Sequence, residues 1–287
     1  MHIIVGSTGH IGSEVVRHLY GREDFLALTH SEENKQKLEH SGVKAIVVDV
    51  RDTDLLNQTF SEGTSAFILN PPGDITGDMV QDELRTADSM IEAITHSGLK
   101  KIVMESTQGA QLGEGIGDFG VLFHLEKGIQ HSGIPTFITR AAYYMSNWDG
   151  QLENAKNGFI ESVFPEDFKL PMVSPKDLGI FNAEKLMTEF TGFHIVDFSG
   201  PEEYSSYDVA QALSEELGYK VEVRVIPSED WIDYFMRMGF SEIAAESFAK
   251  MTKITLNHEF VNSGEEKRGK TTLKEYIREL VQRDKIQ

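Results

Sequence analysis

Residues 1–12 read Met1-His2-Ile3-Ile4-Val5-Gly6-Ser7-Thr8-Gly9-His10-Ile11-Gly12. A short apolar run breaks into a glycine-rich loop, and Val15, Val16 and Leu19 follow at the spacing of one buried helix face. A strand that turns tightly and restarts as a helix aims free backbone N–H groups, and the positive helix end, at one point. That point suits the diphosphate of a dinucleotide. Gly6 permits the turn, Gly9 lets phosphate approach the backbone, and Gly12 lets the helix pack on the strand. Gly6, Ser7, Thr8, Gly9, His10, Ile11 and Gly12 are therefore the first candidate cofactor residues, and NAD or NADP the expected cofactor. His10 is either a residue over the phosphates or nicotinamide or a variable turn residue.

Outward from this loop, the first half alternates strand-like and helix-like segments with short joints. This is the pattern of an α/β fold, a doubly wound parallel (Rossmann) sheet covered on both faces. Strands are expected at His2–Val5, Phe25–Thr29, Ala45–Val48, Ser65–Leu69, Lys101–Glu105 and Thr136–Thr139. The clearest helix runs from Asp78 to His96, its stripe made by Val80, Leu84, Ala87, Ile91 and Ile94. Another covers Val121 to His131 and stops at Ser132-Gly133.

After Arg140 the rhythm changes. Residues 150–170 read as an irregular crossover, Ser174-Pro175-Lys176-Asp177 as a helix start, and His194–Phe198 as a strand returning to the same sheet. Ser206–Leu217 is an amphipathic helix, Val221–Ile226 a strand, and 227–251 helical and rich in Met and aromatics. The expected division is a dinucleotide-binding domain over 1–150, joined by the strand at 194–199, and a smaller C-terminal α/β substrate lobe over most of 151–287.

Composition narrows the function. A chain of 287 residues buries an ample core, and a formal net charge of −19 argues against a nucleic-acid surface, which needs clustered Lys and Arg. No cysteine is present, which removes disulfides, thiolate catalysis and cysteine-ligated metal. With a strand starting at His2 and no long apolar stretch, neither a leader nor a membrane span is expected, and the cytoplasm is the default location. No His-Glu-x-x-His run or carboxylate cluster points to a metal.

Several stretches together resemble the NmrA-like branch of the atypical short-chain dehydrogenase/reductase family, and its quinone-reductase-like members in particular. They are the glycine loop, Val48-Asp49-Val50-Arg51-Asp52, Asn70-Pro71-Pro72, Glu126 with Ser132-Gly133-Ile134-Pro135-Thr136-Phe137 and Arg140, Tyr144-Met145-Ser146-Asn147, Ser174–Gly179 and Gly200-Pro201-Glu202. The resemblance spans nearly the whole chain. It implies that Asp49 and Val50 lie beside the adenine and that Asn70, Pro71 and Pro72 lie beside the cofactor riboses. It is silent on the reaction, because the family holds quinone reductases, plant reductases and non-catalytic redox sensors.

No carboxylate ends the second strand, where Leu28-Thr29-His30-Ser31 stands; relatives that bind NADP often have arginine in place of His30. His30, Ser31 and Lys35 are either ligands for a 2′-phosphate or solvated loop residues. NADP is the expected cofactor, with NAD the alternative.

None of the eight tyrosines has a lysine four residues on. The pair that supplies a proton in conventional relatives is therefore missing, and the position where related plant reductases place a lysine holds Leu122. This weighs against epimerase, dehydratase and alcohol dehydrogenase chemistry. A quinone is electron-poor and accepts hydride with less protonation, so positioning supplies much of the acceleration. Candidate catalytic donors are Tyr143, Tyr144 and His124. Ser106, Thr107 and Asn147 are candidates to hold the nicotinamide ribose or border its ring. Asp230, Trp231, Tyr234, Phe235, Met236, Met238 and Phe240 either line an apolar pocket or fill a core.

The expected function is hydride transfer from NAD(P)H to a flat, electron-poor acceptor, a small apolar or aromatic molecule. The rival is a dinucleotide-sensing regulator acting through a protein partner, and a nucleotide-sugar epimerase is third. A homo-oligomer is left open; no nucleic acid and no membrane are expected as direct partners.

Overall fold

The computed structural model describes residues 1–259 and 262–285. In the first half, strands and helices alternate: β1 (His2–Ile4), α1 (His10–Leu19), β2 (Phe25–Thr29), α2 (Glu32–His40), β3 (Ala45–Val47), α3 (Thr53–Ser61), β4 (Ser65–Ile68), α4 (Met79–Thr95), β5 (Lys101–Thr107), α5 (Asp118–His131) and β6 (Thr136–Ala141). Next come β7 (Tyr143–Tyr144), a 3₁₀ turn (Met145–Gln151), α6 (Leu152–Lys156), β8 (Phe159–Ser162), β9 (Leu170–Val173) and α7 (Pro175–Met187). The chain ends with β10 (Phe193–Ser199), β11 (Glu203–Tyr204), α8 (Ser206–Leu217), β12 (Glu222–Val225), α9 (Trp231–Arg237), α10 (Glu242–Leu256), β13 (Glu266–Arg268) and α11 (Leu273–Asp284).

Eight strands pair in parallel in the order β13-β10-β6-β5-β4-β1-β2-β3, a Rossmann sheet extended at one edge by β10 and β13. The strand order reverses between β1 and β4, and a ligand crevice opens outside the carboxyl ends of the strands at such a point. One apolar layer, with Ile3, Ile68, Met90, Met104 and Leu125, lies under α3, α4 and α5. The opposite layer joins Ile4, Val15, Leu19, Phe67 and Val103 to Leu178 and Leu186 of α7. Helix α7 lies flat on α1, and Gly179 makes this possible: a Cβ there would run into the Glu14 side chain and stand 2.9 Å from the Ile11 carbonyl oxygen.

A second body of core, including Trp148, Ile160, Met172, Val209, Leu213 and Ile277, is built from the elements after β7. Two small sheets frame it, β11-β9-β7 and β12-β8. The stretch expected to be irregular thus contains α6 and β8, and its alternating burial at Phe159–Ser162 suits a strand half-covered by α8. The expected helical run 227–251 is two helices broken at Met238–Ser241, where Gly239 takes φ +97°. Strand β13 carries three exposed charged residues, Glu266, Lys267 and Arg268, and so had no apolar alternation to announce it.

Candidate functional site

The loop after β1 is shaped by backbone contacts. Gly6 has φ +68°, its carbonyl accepts the Gly9 N–H at 3.1 Å, and the Ser7 hydroxyl donates to the Leu28 carbonyl at 2.7 Å, tying the loop to β2. Gly9 caps α1 with no side chain, leaving the amides of His10, Ile11 and Gly12 without an intrahelical acceptor. A Cβ on Gly12 would stand 2.7 Å from the Gly6 carbonyl carbon and 3.1 Å from Ser7 Cα, so only glycine permits this approach. A Cβ on Gly9 would meet only the Gly6 oxygen, at 3.5 Å, so its outer side is open. Thr8, Gly9 and His10 are exposed on that side, whereas Ile11 is buried under the helix.

Two buried side-chain atoms at the ends of the strands on either side of β1, Thr29 Oγ1 of β2 and Asn70 Oδ1 just after β4, have no hydrogen-bond partner among the described residues. Asn70 is oriented by its amide, which donates to the Glu83 carbonyl at 3.4 Å. Free helix-end amides flanked by unsatisfied polar atoms, over a turn only glycines can make, fit a dinucleotide. Asp49 is exposed and accepts from the Arg51 amide at 2.9 Å, while the Val50 carbonyl accepts from the Ser89 hydroxyl at 2.7 Å. Pro71 and Pro72 continue the loop after β4.

The residues considered for a 2′-phosphate are not equally available. Ser31 Oγ caps α2 by accepting from the Asn34 amide at 3.2 Å, and Lys35 Nζ lies 3.4 Å from Glu32 and 3.7 Å from Glu39 of its own helix. Both are occupied by local helix chemistry. His30 is exposed and has no partner among the described residues.

A cavity of about 460 Å³ opens at the carboxyl edge of the sheet. Its floor is made by Thr107 at the end of β5, by Tyr143, Tyr144 and Asn147, and by Asp118 and Phe119 at the start of α5. Trp148, Phe164, Tyr234, Phe235, Phe240 and Phe248 supply aromatic walls, and Met238 and Met251 flank them. Trp231 is buried in the small core below this wall, while Asp230 and Met236 are exposed. The lobe is pinned over the cavity from the far side: Ser241, the cap of α10, donates its amide to the Ile75 carbonyl at 2.7 Å and its hydroxyl to Gly77 at 2.6 Å.

Tyr143 and Tyr144 meet at the cavity, but His124 does not. Its ring Nε2 lies 2.7 Å from Asp88 on the exposed seam between α5 and α4, outside the cavity lining. The exposed outer face of an amphipathic helix explains this position, and it removes the motive for a donor role. Ser106 is also turned away. Its hydroxyl donates to Glu126 Oε1 at 2.6 Å, and Arg140 donates to both oxygens of the same carboxylate at 2.9 and 2.6 Å. With side chains 1% and 10% exposed, Glu126 and Arg140 form a buried bidentate ion pair that braces β6 against α5.

The electrostatics of the cavity are those of buried neutral groups. Burial raises the Tyr143 phenol to about 12, against the bond to Asn147 that lowers it. Burial, then the charges of Glu105 and Asp118, push Tyr144 well above the ordinary phenol range. With no cation beside them among the described residues, both tyrosines stay phenols, able to donate hydrogen bonds but poor as acids. Behind Tyr144, Glu105 is fully enclosed, and burial raises it strongly although Asn182 donates to its Oε2 at 2.5 Å. Glu83 and Asp118 share a side-chain hydrogen bond at the cavity edge; burial and the charge of Asp118 raise Glu83 to about 8, and burial raises Asp118.

No sequence motif marks Glu105 or Asp118, but Glu83 carries a signal. Glu83 stands four residues from both Met79 and Ala87, inside the buried stripe of α4. Among the described residues, no group of three or more His, Asp or Glu side chains could hold a metal ion, and no helix is long and apolar enough to cross a membrane.

The NmrA-like family model matches residues 2–277. The chain is 25% identical over 260 residues to the NAD(P)H azoreductase of Xenophilus azovorans, covering 88% of this chain and 86% of that protein. Among solved structures, the Citrobacter sp. triphenylmethane reductase complexed with NADP(H) superposes with a TM-score of 0.79 at 19% identity, over 98% of this chain and 100% of that one. The NADPH-dependent quinone oxidoreductase of Escherichia coli, complexed with NADPH, gives 0.78 at 19% identity, over 98% and 99%. At that level of identity the two structures speak for the fold.

Proposed function

The chain belongs to the NmrA-like family, and from that premise we propose that it is an NADP(H)-dependent oxidoreductase whose acceptor is a flat, electron-poor aromatic such as a quinone. The observation that carries this reading is the aromatic cavity of about 460 Å³ at the sheet edge that also bears the glycine loop. Its size is that of a small-molecule site, and a regulator that only senses a dinucleotide needs no second chamber beside it. Relatives that are reductases, with NADP(H) or NADPH bound in two of the structures, support the cofactor.

The amides of His10, Ile11 and Gly12 would bind the diphosphate, Asn70 and Thr29 would face the riboses, and His30 would meet a 2′-phosphate. When bound, NADPH supplies a hydride. The surrounding chain holds the acceptor. Phe164, Tyr234 and Phe248 offer aromatic surfaces against which a planar ring can pack, and Trp148 and Met251 help to exclude water. Asn147 bonds the Tyr143 hydroxyl and so fixes one phenol at the cavity floor. None of these steps calls for a tyrosine-lysine pair, because positioning supplies much of the acceleration for an electron-poor acceptor.

Steady-state NADPH oxidation with a panel of benzoquinones and naphthoquinones tests this. Turnover that saturates with the quinone is expected. Measurable NADPH binding with no turnover of any acceptor rejects the reading.

A further inference from the structure

The missing tyrosine-lysine pair leaves open where the proton of a two-electron reduction comes from. At the cavity, Asp118 is half-buried, opens from the first turn of α5 onto the same space as Thr107 and Tyr144, and is hydrogen-bonded through its side chain to Glu83 of α4. Glu83 is buried and held from behind, since its Oε1 accepts the Gly73 amide at 2.9 Å. Two carboxyl groups in such contact cannot both ionise cheaply away from water, so the pair keeps a proton that neither would keep alone. One member is anchored in protein and the other faces the chamber.

We propose that Asp118 is the proton donor to the reduced acceptor and that Glu83 is the positioning residue that keeps it charged with a proton; this rests on the oxidoreductase reading above. A quinone that has gained a hydride is a hydroquinone monoanion. The proton shared by the pair leaves through Asp118: the O–H bond of Glu83 breaks as its proton passes to the Asp118 carboxylate, the Asp118 O–H bond breaks in turn as a new O–H bond forms on the phenolate oxygen, and the electron pair is left on the pair, with Glu83 ionised. Quinone, hydride and proton then sum to the neutral hydroquinone, and the pair takes its next proton from water.

The surroundings favour this assignment over the phenols. Tyr144 faces Asp118 from β7 and brings no positive charge, and Glu105 of β5 lies behind it, bonded to Tyr144. Asp82, next to Glu83, raises it further and is itself tied to Arg85 and, at 3.7 Å, to Arg51 on the outer face of α4. Lys250 of α10 lies against Gly115, three residues before Asp118. Burial raises Glu83 to about 8, so the pair gives up its last proton just above neutrality, the range in which a general acid works best.

The test measures kcat and KM against pH for quinone reduction in wild type, Asp118→Asn and Glu83→Gln, alongside infrared titration of the protonated carboxyl band. Wild-type kcat should fall as pH passes about 8, in step with loss of that band. Asp118→Asn should lower kcat by about 10²-fold, leave the KM for NADPH in place and abolish the alkaline fall. Glu83→Gln, whose amide donates to an ionised Asp118, should move the fall to lower pH and remove the band that titrates there. A reaction that persists in both variants with the wild-type rate and profile overturns the donor role alone. No turnover by wild type with any acceptor overturns the oxidoreductase reading, and the donor role with it.

Discussion

Placing a methyl group on Gly12 tests the cofactor site where its geometry is tightest. In Gly12→Ala the new Cβ would stand 2.7 Å from the Gly6 carbonyl carbon and nearer still to its oxygen, whereas ordinary contact begins at 3.4 Å. Relief requires the start of α1 to retreat from the β1 turn by about 1 Å, because close-packed neighbours cannot absorb the overlap. Amide-to-phosphate hydrogen bonds hold only between about 2.7 and 3.2 Å, so a retreat of that size takes two of them out of range. Each bond to a charged group contributes about 1.5–3 kcal/mol, so the loss is about 3–6 kcal/mol. At about 1.4 kcal/mol per decade, the NADPH Kd should rise about 10²- to 10⁴-fold. Calorimetric titration measures this, with circular dichroism to show that the variant is folded. Gly9→Ala is the companion. Its Cβ meets only one atom, at 3.5 Å, so the free protein should melt like wild type while still losing NADPH through steric exclusion of phosphate. A folded Gly12→Ala protein that binds NADPH as wild type does would refute the placement of the diphosphate.

Three further outcomes are expected. Arg140→Met leaves the Glu126 carboxylate buried with only Ser106 for company, and urea unfolding should show a loss of about 3–5 kcal/mol; the double variant with Glu126→Leu should recover most of it. Glu83 holds its proton to about 8 in the folded chain but releases it near 4.5 when unfolded, so the unfolded state binds fewer protons between those values and stability falls as pH rises through them. Glu83→Gln should flatten that fall by up to about 1.4 kcal/mol per pH unit, read from urea midpoints at successive pH values. His30→Asp should turn the NADPH/NADH preference toward NADH, because a carboxylate there accepts from the ribose hydroxyls and repels a 2′-phosphate; unchanged relative Kd values would remove His30 from the site.

What was readable in the chain itself is what local periodicity encodes. The glycines at 6, 9 and 12, the apolar runs of β1, β2 and β4–β6, and the stripe of α4 each announce their element within a window of a dozen residues, and a parallel sheet follows from their alternation. Tyr143 and Tyr144 could be placed at the carboxyl edge because they follow a recognisable strand. Tertiary structure decided the rest. Edge strand β13, made of exposed charges, is a strand only because β10 offers it a row of backbone partners. His124 and Ser106 looked as eligible as Thr107 until α4 supplied Asp88 to one and Glu126 turned the other inward. The meeting of Glu83 with Asp118 joins residues of two helices that stand 35 positions apart in sequence. Charge, burial and proton affinity at such a meeting depend on distances that no sequence window contains, so the chemistry of the cavity was set where the chain folds back on itself.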